Sequence, residues 1–149
     1  MKGRCTISFI GPVRNAMPLI SRGFHGRRCT DVGVARGGQE YLLERGLFRR
    51  KSTGAVVRPA YLEFAFPYYW HYDVLRALDY FRRSGAAPDP RIAEAIAVVQ
   101  SMRQPDGRWL LDRIHPGRVH FDLEGGVGTP SRWNTLRALR VLKWWDGIA

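Results

Sequence analysis

Arg103-Gln104-Pro105-Asp106-Gly107-Arg108-Trp109 decides how the 149-residue chain is read. Pro105 presets a turn angle, Asp106-Gly107 supplies a position that tolerates positive φ, and Trp109 returns a large apolar ring toward the segment just left. That segment reads as a helix. Asp89-Pro90 is an N-cap followed by proline at the first helical position, and Ile92, Ile96, Val99 and Met102 recur on one face. Ala93, Ala95 and Ala97 leave room for close neighbours.

Upstream, Val74, Leu75, Leu78 and Phe81 form the apolar stripe of a helix over 70–83, stopped by Ser84-Gly85. It follows an aromatic connection with Tyr61, Phe64, Phe66, Tyr68, Tyr69 and Trp70, in which Pro59 and Pro67 oppose continuous helix. So much aromatic area is expected to pack over helix ends. Before that connection, Tyr41, Leu42, Leu43, Leu47 and Phe48 predict a short amphipathic helix from Gln39. Downstream of Trp109 lies a long loop with His115-Pro116-Gly117, an alternating Val119, Phe121 and Leu123, and the flexible Gly125-Gly126-Val127-Gly128. Pro130-Ser131 opens a last helix in which Trp133, Leu136, Leu139, Leu142 and Trp145 are joined by Ala138, Val141 and Trp144. An apolar arc that wide predicts burial on more than one side.

Apolar content of 45% and charged content of 25% fit one globular domain. The net charge of +11 is uneven, because residues 1–38 carry seven basic groups against the single acid Asp31. No nucleic-acid-binding module accompanies that charge, so no specific nucleic acid is expected as partner. Residues 1–38 show no sustained periodicity and many Gly and Pro breaks. They are read as an irregular basic segment, disordered or not part of the fold, with an organelle transit peptide as the alternative. Cys5 and Cys29 lack CxxC spacing and read as free thiols of a reducing compartment. No apolar run approaches the roughly eighteen residues of a membrane span. The expected location is cytoplasmic.

The order from Gln39 is helix, aromatic connection, helix, short turn, helix, long loop, helix. With the turn at 103–109, it resembles the α/α toroid of terpenoid cyclases and protein prenyltransferases, including the squalene cyclases. Their repeat signature is Gln, three residues, Gly, any residue, Trp. Gly107 and Trp109 match it as a structural turn, while Arg103 stands in the glutamine position and Gln104 is one place late. The resemblance covers residues 39–149. It implies an all-α, incomplete α/α toroid, with 90–102 an outer helix and with 70–83 and 131–145 inner helices that point the same way. A closed toroid takes about five or six hairpins of roughly forty to fifty residues, and about two are present here. The chain is accordingly expected to be a truncated member lacking upstream helices, or to complete its core as a homo-oligomer.

The resemblance implies a site at the rim where the inner helices begin, roofed by the loop from His115 to Gly128. Asp73 and His71 are the candidate catalytic pair, since a carboxylate and an imidazole beside a dry cavity shift each other's proton affinity. An acid in the first turn of a helix also complements the helix dipole without any chemistry. Trp70, Tyr72, Trp133, Asn134 and Arg132 are the candidate substrate-binding residues for an isoprenoid or other apolar small molecule. Arg132, Arg137, Arg140 and Lys143 mark a basic edge, read as a diphosphate site or as a solvated helix face. The Asp-x-Asp-Asp acid motif of the cyclases is absent, and so is a cysteine-containing zinc site in the matching region. His71, Asp73, His115 and His120 have generic spacing, so no metal and no cofactor are assigned. Enzymatic activity stays open against a nonenzymatic helical interaction module or a gene remnant.

Overall fold

The computed structural model describes residues 31–147. The expectations for residues 1–30, including the two free thiols, lie outside these described residues. Four α-helices are present among them: α1 (Asp31–Leu43), α2 (Val74–Arg83), α3 (Ala93–Ser101) and α4 (Arg132–Trp145). Two short strands, β1 (Trp109–Leu110) and β2 (Pro130–Ser131), pair antiparallel with Trp109 opposite Ser131 and Leu110 opposite Pro130.

The all-α, incomplete-toroid expectation is therefore corrected to a small mixed arrangement of helices and a two-stranded antiparallel sheet. The physical reason lies in the tryptophan turn. Gly107 takes φ +82°, its N–H donates to the Gln104 carbonyl at 2.8 Å, and the chain leaves the turn extended rather than helical. The loop then returns alongside it, and Leu111 N–H donates to the Thr129 carbonyl at 2.9 Å. The alternating stretch around Val119 and Phe121 forms no strand and is exposed.

Trp109 is fully buried. Its indole Nε1 donates to the Val99 carbonyl at 2.7 Å, and its backbone N–H donates to Thr135 Oγ1 at 3.0 Å, so one residue ties α3 to α4. Around it the core gathers Phe64 from the connection, Leu75, Leu78 and Phe81 from α2, Ile96 and Val99 from α3, and Ala138 and Val141 from α4. Removing a ring of this size from water stabilises the fold by about 4–6 kcal/mol as an upper bound.

Each helix begins where its sequence permits. Asp73 Oδ1 accepts the Arg76 N–H at 2.6 Å and starts α2 at Val74, so residues 70–73 approach the helix without belonging to it. Ser131 Oγ accepts the Asn134 N–H at 3.0 Å and starts α4. Asp89 caps a short 3-10 turn, Pro90–Ile92, that feeds α3. The first helix lies earlier than the expected 39–48. It spans Gly37 and Gly38 and ends at Leu43, because Gly46 (φ +49°) and Leu47 (φ +71°) turn the chain.

α2 and α4 lie side by side and parallel. Asp73 meets Arg137 at their N-terminal ends, and Trp144 Nε1 donates to the Ala86 carbonyl, just past α2, at 3.0 Å. We expect Trp109→Ala to cost about 3–5 kcal/mol of stability in urea unfolding. Trp109→Phe, which keeps most of the ring but strands the Val99 carbonyl, should cost about 1–3 kcal/mol.

Candidate functional site

The N-terminal ends of α2 and α4 meet beneath the aromatic connection, and their polar groups converge there. Asn134 Nδ2 donates to the carbonyls of Phe64 and Leu110, both at 3.1 Å. Phe64 N–H donates to Asp112 Oδ2 at 2.8 Å, and Asp112 N–H returns to the Phe64 carbonyl at 3.0 Å. The connection is thereby pinned between the loop and α4. Burial raises the Asp112 carboxyl above its ordinary value, and the Phe64 N–H opposes that rise.

Asp73 and Arg137 form an ion pair in the centre of this layer, Oδ1 to Nη2 at 3.6 Å, with side chains only 4% and 8% exposed. Arg137 Nη1 reaches the Ala65 carbonyl at 3.4 Å and Asn134 Oδ1 at 3.3 Å, while Nε and Nη2 make no hydrogen bond. Its guanidinium lies over the Tyr68 ring, 4.6 Å from the centroid, and the guanidinium of Arg76 lies 4.5 Å from the same ring. Burial raises the Asp73 carboxyl strongly enough to outweigh the lowering by Arg137, Arg76 and the backbone. A carboxyl whose proton affinity is raised by burial is the kind of group a general acid uses. This one is enclosed, caps α2, and lines neither of the two hollows described below.

The remaining rim residues are dispersed. His71 makes no hydrogen bond to Asp73 among the described residues; its ring is stacked between Trp70, at 3.8 Å between centroids, and His115, at 3.6 Å. Tyr72 donates its hydroxyl to the Leu47 carbonyl at 2.6 Å, and burial pushes its phenol up. Trp133 stacks on Phe66 at 5.1 Å on the outside of α4, and Arg132 Nη2 donates to the Leu123 carbonyl at 3.2 Å. The expected roof touches the rim through His115 and through Gly117, which lies against the Tyr69 ring. Its Glu124 carboxylate accepts from Ser131 Oγ at 2.7 Å and from Trp133 N–H at 3.3 Å. Among the described residues no group of three or more His, Cys, Asp or Glu is placed to hold a metal ion. No helix among them is long and apolar enough to cross a membrane.

Arg137 is the residue that the basic-edge reading misplaced, for it points inward while Arg132, Arg140 and Lys143 are exposed. The inward arc of α4 is Asn134, Arg137, Ala138 and Val141. The expected burial of Trp133, Leu136 and Leu139 is corrected as well, since these remain 39%, 37% and 44% exposed. Small Ala138 and Val141 are fully buried in the core and Leu142, Trp144 and Trp145 pack against it, while Trp133, Leu136 and Leu139 lie on the opposite, exposed side of the helix. Leu136 and Leu139 wall an open groove of about 400 Å³ with Pro130, Thr135, Arg108 and Arg132. A second hollow of about 100 Å³, beside Trp109 and Met102, is too small for an isoprenoid chain.

No known protein family, characterised protein or solved structure matches the chain. We expect Arg137→Met to cost about 3–5 kcal/mol, because it leaves Asp73 buried without a counter-charge. The Asp73→Asn/Arg137→Met double variant should recover much of that loss. A double-mutant cycle by urea unfolding measures the coupling, and additive single effects would show that the two side chains act separately.

Proposed function

We propose that the chain is a nonenzymatic helical interaction module, and that the outer face of α4 receives an acidic amphipathic helix from a protein partner. The observation that carries this reading is the exposed stripe of Trp133, Leu136 and Leu139 beside the groove, on the same face as Arg132, Arg140 and Lys143. Residues three apart on a helix present one continuous ridge, which suits the i, i+3, i+4 anchors of a partner helix. Arg140 and Lys143 have no acidic partner among the described residues, and Arg108 has only a loose one, Asp106 at 3.9 Å. A second copy fits less well, since pairing two such faces would set cation against cation. Engagement of Asp73, Arg137 and Asn134 with one another and with the backbone supports a structural role for the polar rim. The cytoplasm is the setting this reading assumes.

The test is titration with a synthetic helical peptide of about 20 residues, with leucines on one face and glutamates flanking them. Saturable binding is expected, weakened at least tenfold in Leu136→Glu/Leu139→Glu, each leucine contributing about 1–2 kcal/mol. The same peptide with lysines for glutamates should bind far less. Equal binding of both peptides, or of neither, would overturn the docking reading. So would saturable binding of farnesyl diphosphate that the same double variant abolishes, an outcome that favours an isoprenoid site in the groove.

A further inference from the structure

The long loop is held at its two ends by different chemistry. Its neck is closed by backbone hydrogen bonds, Leu111 N–H to the Thr129 carbonyl at 2.9 Å and Gly128 N–H to the Leu111 carbonyl at 2.7 Å. Farther out, it is fastened to the approach to α2 by a stack of three rings. Trp70 and His71 lie 3.8 Å apart at 27°, and His71 and His115 lie 3.6 Å apart at 9°. Two imidazoles face to face at that separation attract while at most one is charged, and repel once both are.

The surroundings add positive charge. From the loop, Arg113 lies beside His115, and from α2, Arg76 Nη1 donates to the His71 carbonyl at 2.6 Å. From the connection, Glu63 is the acid that acts on His115, and it is already bound to Arg113 Nε at 2.6 Å. Trp70 covers the other face of His71. A proton on His115 meets the cationic Arg113 with Glu63 already engaged.

We propose that the His71–His115 stack is an acid-released latch, holding residues 114–122 against the aromatic connection while at most one ring is charged and freeing them when both are. The segment it restrains is mostly exposed, with Ile114, Val119 and Phe121 facing solvent. Beyond the stack, Gly117 packs on Tyr69, where a Cβ would come within 2.9 Å of the phenol ring, so the closed loop fits closely on this side. The His115 imidazole is held below its ordinary value by burial first, then by His71 and Arg113, with Glu63 opposing. The sign follows. A histidine whose closed-state affinity for protons is depressed stabilises the closed state fully above the free value of about 6.5, and that contribution is lost as pH falls below it. The latch does not depend on what binds α4.

Amide hydrogen exchange at 114–122, corrected for the intrinsic rate, tests it on the whole chain. Exchange should rise at least about tenfold between about pH 7.5 and about pH 5 in the wild type. His115→Phe and His71→Phe keep a stacked ring without its proton, and each should abolish the rise. Exchange that is independent of pH in the wild type, or a rise that persists in both phenylalanine variants, would overturn the latch. Each variant must also retain the wild-type exchange at the neck residues Leu111 and Gly128, which reports that the loop base is intact.

Discussion

The indole of Trp109 is the contact on which the other elements depend. The indole N–H donates to the Val99 carbonyl of α3, the backbone N–H of the same residue donates to the Thr135 hydroxyl of α4, and β2 pairs with that backbone. Closing the nineteen-residue loop 111–129 between β1 and β2 costs about 2.6 kcal/mol of chain entropy. Burial of the indole, at about 4–6 kcal/mol, is large enough to offset it. The two-residue sheet is therefore a consequence of the buried ring. A pair of strands this short has little stability of its own. Arg103 shares in the arrangement, its guanidinium 5.7 Å from the indole centroid on the side where Gly107 lacks a side chain.

Parallel packing of α2 and α4 sets a second constraint. Two helices that start at the same end bring their positive dipole ends together, and unsatisfied N–H groups accumulate there. Asp73 accepts from the first turn of α2, Ser131 accepts from the first turn of α4, and Glu124 accepts from Ser131 and Trp133. Anionic oxygens thus gather at that end. Placing a carboxylate there costs desolvation, which the upward displacement of Asp73 reflects, and Arg137 supplies the counter-charge from the facing helix. The same carboxyl that an enzymatic reading would recruit is an integral part of how the two helices meet.

Much of the helix order was legible because it rests on local chemistry. Apolar spacing marked α2, α3 and α4, while Asp89-Pro90, Ser84-Gly85 and Pro130-Ser131 marked their ends. The parallel course of α2 and α4 followed from helix order. The sheet was illegible because two-residue strands have no periodicity, and pairing of Trp109 with Ser131 depends on where a long loop returns. The burial of Arg137 was illegible for a similar reason. Its partner Asp73 is remote in sequence, and a charge on a helix is assigned to water unless its counter-ion is known. Asp73 and Asn134 were identified as rim residues, yet His71 was drawn into a ring stack whose third member, His115, comes from the loop.

α4 places the small side chains Ala138 and Val141 fully in the core, where Ala77 of α2 is buried too, while Leu142, Trp144 and Trp145 pack at its edge. In a close-packed interior a leucine or tryptophan in place of Ala138 would have to displace its neighbours. Val141 and Ala138 therefore take the inward arc, and Trp133, Leu136 and Leu139 are left outside. At 37–44% exposed, these side chains bury part of their apolar area in the fold and leave the rest open to a partner. Their placement beside Arg132, Arg140 and Lys143 gives the face both an apolar ridge and a charge sign. A ridge with unassigned charge would accept many surfaces, including its own copy. On the proposed reading, the cations would favour acidic surfaces over others, giving α4 a preferred partner chemistry.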